Sequence, residues 1–389
     1  MLSVRDCRMR GFEDTEFAAR TERAQRLMSE HGLSALLLTT EPEVRYFTGY
    51  LTRFWESPTR PWFLIVPASG KPIAVIPSIG AALMGQTWID DIRTWSSPDL
   101  SDDGVSLLAD TLRDVTHPGD RIGLPDGHET HVRMPLADLY RLNKLADDRV
   151  FGGDAGILRK LRMVKSEAEI AKIETACAIA GRAFARVPEI AGAGFTVASV
   201  FRHFQMLCLE EGADWVPYLA GGAEQDGYAD VISPARDTAM APGDVLMLDT
   251  GLVWDGYFCD YDRNWSIGPA TADVKSAYAT LIEATDAAFE VARAGARACD
   301  LYHGMNSVLS RQSGDTGAGR LGHGLGMSLT EWPSLIPGDE TVLEAGMVLT
   351  LEPGIAVDDK ILVHEENIVI TEDAPRFISP KAGAELVEI

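Results

Sequence analysis

The sequence predicts an α+β protein of two domains, a smaller α/β domain over about residues 1–155 and a larger mixed domain over 156–389. A chain of 389 residues is longer than one hydrophobic core usually serves. The first part alternates short apolar runs with helical periodicity, whereas the rest mixes strands and helices without βαβ regularity. Between them, Phe151-Gly152-Gly153-Asp154 shifts to small and polar residues, which suits a linker.

In chain order, Phe17 to His31 reads as an amphipathic helix ended by Gly32, feeding a short strand at Ala35 to Leu38. Apolar runs at Trp62 to Val66, Ile73 to Ile76 and Ile122 to Leu124 read as further strands, with a helix near Val105 to Leu112. Ser166 with Glu169 forms a capping box. Ile170, Ile173, Cys177, Ala180 and Phe184 then recur at helical spacing, so a long helix opens the second domain. Strands follow at Val245 to Val253 and Tyr257 to Ile267, helices near Val274 to Ala292 and Leu301 to Arg311, and late strands at Met347 to Leu351 and Ile361 to Ile370.

Apolar residues make up 46% of the chain and charged residues 24%, ordinary usage for a folded globular protein. With 35 Lys and Arg against 58 Asp and Glu the net charge is −23, which repels phosphate backbones and anionic headgroups. Nucleic acid and membrane surfaces are therefore not expected partners. The five cysteines, Cys7, Cys177, Cys208, Cys259 and Cys299, are odd in number and hold no C-x-x-C pair, which suits a reducing compartment. No apolar run is long enough for a signal peptide or a membrane span, so a cytoplasmic location is expected.

Chemistry concentrates in the second domain. Val245 to Asp262 reads as a hairpin around Asp255-Gly256, a strong turn signal. A two-residue loop there sets Asp249 opposite Asp262 and Gly251 opposite Asp260. Asp249 and Asp260 then share a face as diagonal neighbours, with Cβ atoms about 7 Å apart. Two carboxylates in an apolar setting repel unless a cation lies between them, and Arg263 is the one nearby basic residue. Downstream, Gly322-His323-Gly324 offers an imidazole between residues without side chains, Glu352-Pro353-Gly354 ends an apolar run, and Glu365-Glu366 lies inside a β-branched one.

The order Asp-x-Gly, Asp eleven residues on, Gly-His-Gly, Glu-Pro-Gly, then Glu six residues before Thr371 resembles the pita-bread superfamily of methionine aminopeptidase, prolidase, aminopeptidase P and creatinase. Val44-Arg-Tyr-Phe-Thr-Gly49-Tyr and Arg60-Pro-Trp-Phe-Leu likewise resemble the creatinase-type N-terminal domain. The resemblance implies Asp249, Asp260, His323, Glu352 and Glu365 as ligands of two divalent ions, with His323 and Glu352 catalytic and Glu352 the general base and acid. Counting back from Thr371 selects Glu365, and strand alternation turns Glu366 to the opposite face. Oxygen ligands with one imidazole favour Mn, Fe, Co or Zn over Cu, and the resemblance puts Mn first. Asp262 stands where relatives usually have Thr, either as an acceptor that orients a ligand or as an extra ligand.

The implied function is metal-dependent hydrolysis of a C–N bond, like that of Xaa-Pro aminopeptidases and dipeptidases. The alternatives are a non-peptidase metal enzyme acting on a small zwitterion or osmolyte, like dimethylsulfoniopropionate lyase, creatinase or ectoine hydrolase, and a binding module without catalysis. Peptidases of the family keep a histidine seven residues after the ligand histidine and another seventeen or eighteen before the first aspartate, where this chain has Thr330 and Ile232 or Val231. An aliphatic residue in the latter place suggests a drier pocket. Thr330, Tyr228, Trp215, Trp332 and Arg53 are the expected substrate contacts, and the aromatic faces of Trp215, Tyr218, Tyr228 and Trp332 suit a cationic group. The resemblance further implies a homodimer, with Arg53-Phe54-Trp55 and Arg60-Pro61-Trp62 reaching the partner's site.

Overall fold

The computed structural model describes residues 10–57, 60–311 and 319–389. Cys7 lies outside the described residues. The chain forms two compact units that divide between Arg162 and Met163, beyond the 155/156 boundary that composition suggests.

The first unit is built on helices α1 (Asp14–His31), α2 (Glu41–Thr48), α3 (Ala81–Met84), α4 (Val105–Val115), α5 (Leu136–Leu145) and α6 (Ile157–Met163). They accompany strands β1 (Ala35–Leu38), β2 (Phe63–Pro67), β3 (Ile73–Pro77), β4 (Asp91–Trp95), β5 (Arg121–Leu124) and β6 (Val150–Gly153). The strands form one mixed sheet in the order β4-β3-β2-β1-β5-β6. Strand alternation sends Ala35, Leu37, Phe63, Ile65 and Val75 to one face, where Val105, Leu108, Ala109 and Leu112 of α4 cover them at helical spacing. The segment expected as a linker is a strand: Phe151, Gly152 and Gly153 pair in parallel with Ile122, Gly123 and Leu124. Its composition misleads because an edge strand with both faces lightly covered needs no apolar alternation.

Trp55 and Trp62 are buried in this unit, with ring centroids 5.7 Å apart, rather than offered as free aromatic anchors. Arg53 is half-exposed and ion-pairs with Glu56 in its own short 3-10 turn.

The second unit holds α7 (Glu167–Ala185), α8 (Val197–Glu210), α9 (Ala272–Val291) and α10 (Ala298–Leu309). Strands β7 (Trp215–Gln225), β8 (Asp244–Trp254), β9 (Tyr257–Phe258) and β10 (Tyr261–Ser266) come before β11 (His323–Gly324) and β12 (Glu331–Ser334). The remaining strands are β13 (Val348–Leu351), β14 (Gly354–Val357), β15 (Lys360–Val363), β16 (Glu366–Val369), β17 (Arg376–Phe377) and β18 (Val387–Glu388). One sheet runs β18-β10-β8-β7 with β9 on β8, a second runs β12-β11-β13-β16-β17, and β14-β15 is a separate hairpin. Both halves of the Ser166/Glu169 capping box are made at the start of α7.

The core of this unit packs Val274, Ala277, Leu281 and Ala288 of α9 and Leu301 and Met305 of α10 against Val245, Met247, Leu349, Leu351 and Ile368 from both larger sheets. The late strand expected over Ile361 to Ile370 is instead two, β15 and β16, which belong to different sheets and break at His364-Glu365. Among the described residues, no helix is long and apolar enough to cross a membrane.

Candidate metal centre

The β8 hairpin turns at Asp255 and Gly256, both at positive φ (49° and 81°), the backbone a two-residue type I′ loop requires. Register is unbroken from Trp254↔Tyr257 through Val253↔Phe258 to Asp262↔Asp249, the pairing the turn signal predicts. Lys172 of α7 closes an ion pair on Asp255 and anchors the tip. Asp260 stands between β9 and β10, its N–H donating to Asn367 Oδ1 at 3.0 Å and its carbonyl accepting from Asn367 Nδ2. The aspartate is thus held by its backbone, which leaves its carboxylate to the site.

His323 enters from β11. Its Nδ1 lies 2.8 Å from the Gly324 carbonyl, which can only accept, so Nδ1 carries the proton and Nε2 presents a lone pair. That lone pair faces Asp260 Oδ2 at 3.4 Å and Glu352 Oε2 at 3.9 Å. Burial, and then the nearby Arg320, push the imidazole down to about 4, so the ring is neutral at ordinary pH. A lone pair aimed at carboxylate oxygens is repulsive unless a cation lies between them.

Glu352 leaves the end of β13, where its N–H donates to Leu321 O at 3.0 Å, and its side chain remains 36% exposed. Glu365 sits at the break between β15 and β16, its N–H donating to Asp262 Oδ1 at 3.0 Å. Ligand atoms of Asp260, His323 and Glu365 all lie within 4.8 Å of one another. Glu366 faces elsewhere: it takes Arg263 Nη2 at 3.0 Å, the Ser379 hydroxyl and the Ala382 N–H at 2.7 Å.

Asp249 Oδ1, Glu352 Oε2 and Glu365 Oε1 are covered and have no hydrogen-bond partner among the described residues. Burial, then neighbouring carboxylates, hold Asp249, Asp260 and Glu365 well above the ordinary carboxylate range. Burial likewise raises Glu352 to about 7. Carboxylates crowded around an unprotonated imidazole fit divalent cations, whose charge offsets both the burial and the mutual repulsion behind these upward shifts.

Tyr218, which the sequence offers only as an aromatic face for a cationic substrate, instead bonds the Asp249 carboxylate from β7 through its hydroxyl. The signal was hidden because Pro217 interrupts the run and the β7 register shifts between Trp215 and Tyr218. Sequence reasoning missed Asn367 and Arg320. The Arg320 Nη2 donates to Oγ1 of Thr330, the position the family resemblance marks as altered, at 3.3 Å.

The other expected contacts scatter. Tyr228 is buried, its hydroxyl donating to Asn264 at 3.2 Å and accepting the Val363 N–H at 2.6 Å, while its edge borders a cavity of about 350 Å³. Trp332 donates its indole N–H to Thr341 Oγ1 at 3.0 Å, and Trp215 pairs with Val253 at the start of β7. Ile232 is 80% exposed, so it does not wall the dry pocket that its aliphatic side chain suggests. Arg53 belongs to the other unit.

The sequence model of metallopeptidase family M24 matches residues 171–372, and that of the creatinase/prolidase N-terminal domain matches residues 20–164. A probable dipeptidase PepE from Mycobacterium tuberculosis is 30% identical over 94% of this chain and 97% of its own length. A Xaa-Pro dipeptidase from Pyrococcus horikoshii is also 30% identical, over 65% of this chain and 73% of its own. The crystal structure of dipeptidase PepE from Mycobacterium ulcerans superposes with a TM-score of 0.83 at 28% identity, covering 97% of this chain and 99% of that one.

Proposed function

This chain belongs to metallopeptidase family M24, with a creatinase/prolidase N-terminal domain ahead of its peptidase domain, and from that premise we propose that it is a dipeptidase cleaving Xaa-Pro or related dipeptides. The observation that carries the reading is the neutral His323 ring with its Nε2 lone pair turned into a cluster of buried, unpartnered carboxylate oxygens. Asp249, Asp260, His323, Glu352 and Glu365 are the proposed ligands of two divalent ions, Mn(II) first. When bound, such ions supply Lewis acidity to a carbonyl and lower the pKa of water toward neutrality.

The chain's own residues do the rest. Glu352, raised to about 7 and open to solvent on one side, takes a proton from the attacking water and returns it to the leaving amine. Tyr218 holds Asp249, and Asn367 holds the Asp260 backbone, so that neither carboxylate swings when charge develops. Thr330 supplies one hydrogen bond where the resemblance implies an imidazole, so peptidase turnover is slower than that of relatives with both histidines. We further propose a cytoplasmic homodimer, which light scattering after size exclusion reads directly.

The test is metal analysis of protein purified without chelator, joined to kcat/KM on Ala-Pro and Leu-Pro for wild type and Thr330→His. We expect up to two ions per chain, activity lost on chelation and restored by Mn(II), and a higher kcat/KM for the histidine variant. Full activity after exhaustive chelation overturns the metal reading, and turnover confined to small zwitterions overturns the dipeptide.

A further inference from the structure

Two residues beyond Asp260, a second acid faces the same cluster. Asp262 is 1% exposed and stands directly opposite Asp249 across the β8/β10 pair. Cross-strand partners bring their Cβ atoms to roughly 4.5–5.5 Å, close enough for like charges to oppose each other. Its Oδ1 accepts the N–H of Glu365 at 3.0 Å, whereas its Oδ2 is buried without a hydrogen-bond partner among the described residues.

Behind it lies His364, also 1% exposed, with Nε2 at 3.4 Å from Glu366 Oε1 and Nδ1 at 3.6 Å from Asp262 Oδ1, an ion-pair distance at which Nδ1 makes no hydrogen bond. Glu366 is immobilised by Arg263, Ser379 and the Ala382 N–H. Arg263 in turn donates through Nη1 to the backbone carbonyls of Asp262 at 2.5 Å and Glu365 at 3.1 Å. A chain of ion-pair contacts therefore runs from the partly buried Arg263 through Glu366 and His364 to Asp262, whose carboxylate ends on the backbone of Glu365.

None of these four residues belongs to the proposed ligand set. Glu365 lies at the break between two strands of different sheets, where no ladder hydrogen bond fixes its N–H, and the Asp262 carboxylate takes the place of one. A backbone held by one side chain is only as well placed as that side chain.

We propose that Asp262 and His364 are a positioning pair for the metal centre: His364, braced by Glu366, orients the Asp262 carboxylate, and Asp262 fixes Glu365 in its binding conformation. The pair would act on the metal centre through Glu365, and the proposal rests on the ligand assignment given above.

The experiment titrates Co(II) into chelated, refilled wild type, Asp262→Asn, Asp262→Ala, His364→Gln and His364→Ala, reading ion affinity by calorimetry and coordination by the visible absorption spectrum. Losing a residue that orients a ligand costs about 10–100-fold in metal affinity. We expect Asp262→Ala to weaken one of two binding steps by that factor and to alter the spectrum. Asp262→Asn, whose amide oxygen still accepts the Glu365 N–H, should recover part of the loss. His364→Ala should shift the same step, with His364→Gln closer to wild type. Melting of each chelated variant separates misfolding from mispositioning, and the isosteric Asn and Gln forms serve if an alanine form fails to fold. Folded variants with both binding steps and the spectrum of wild type overturn the positioning pair. A wild type that binds no divalent ion overturns instead the metal reading on which it rests.

Discussion

His323 shows how much of the site's electrostatics is decided by one carbonyl. The Gly324 oxygen takes the ring's only proton, so the other nitrogen has no choice but to face Asp260 and Glu352 as an acceptor. Tyr218 acts on Asp249 in the complementary way, donating to a carboxylate that burial and Asp262 push toward protonation and so opposing part of that push. Tyr218→Phe removes that donor without changing shape. We expect metal affinity to fall by about 10-fold, the low end for loss of a hydrogen bond to a ligand. Isothermal titration with Mn(II) reads it, and an unchanged affinity would show that Asp249 is oriented by its strand alone.

At the scale of elements, the hairpin was legible because turn chemistry and register are local. Asp255-Gly256 specifies a two-residue loop, and a two-residue loop leaves one register, so Asp249 and Asp262 meet from sequence alone. The β7 strand was not legible, since Pro217, Gly221 and Gly222 weaken every strand signal it has. The structure supplies the reason for one of them. Gly221 has φ of +148°, and a Cβ there would lie 2.1 Å from the backbone oxygen of Met247 on β8. That oxygen cannot move without opening the ladder beside Asp249. Gly221→Ala should therefore destabilise the chelated protein by about 3 kcal/mol, as overpacking against a rigid neighbour does. Denaturant unfolding measures the change, and a loss below about 0.5 kcal/mol would mean that β7 shifts freely.

For the molecule as a whole, the cluster couples stability to pH. Asp249, Asp260, Glu365 and Glu352 hold their protons more tightly folded than unfolded, the last up to about 7. Their contribution is complete below the ordinary carboxylate range near pH 4 and is lost as pH rises through the folded values. Divalent ions replace those protons. The Tm of chelated protein should thus fall below that of Mn(II)-loaded protein by a gap that widens from about pH 4.5 to about pH 7.5. Calorimetric scans of both forms across that range provide the check. A gap independent of pH would place the proton-linked stability outside the cluster.

The sequence by itself determined the two-part α+β organisation, the capping box that starts α7, the hairpin register and the order of the acids and histidine that resembles a metallopeptidase. Each depends on spacing within a few residues or on a pattern along one chain, which periodicity and turn chemistry transmit. Only the tertiary structure decided that Phe151 to Gly153 is a sheet strand, that the late strand breaks at His364-Glu365, and that Ile232 faces solvent. It alone also brought Tyr218, Asn367 and the path from Arg263 to Asp262 against the proposed ligands, with Asn367 reaching Asp260 from 107 residues away. Such contacts are made by sheets that assemble from distant segments, and no local signal in a chain records which distant segment will arrive.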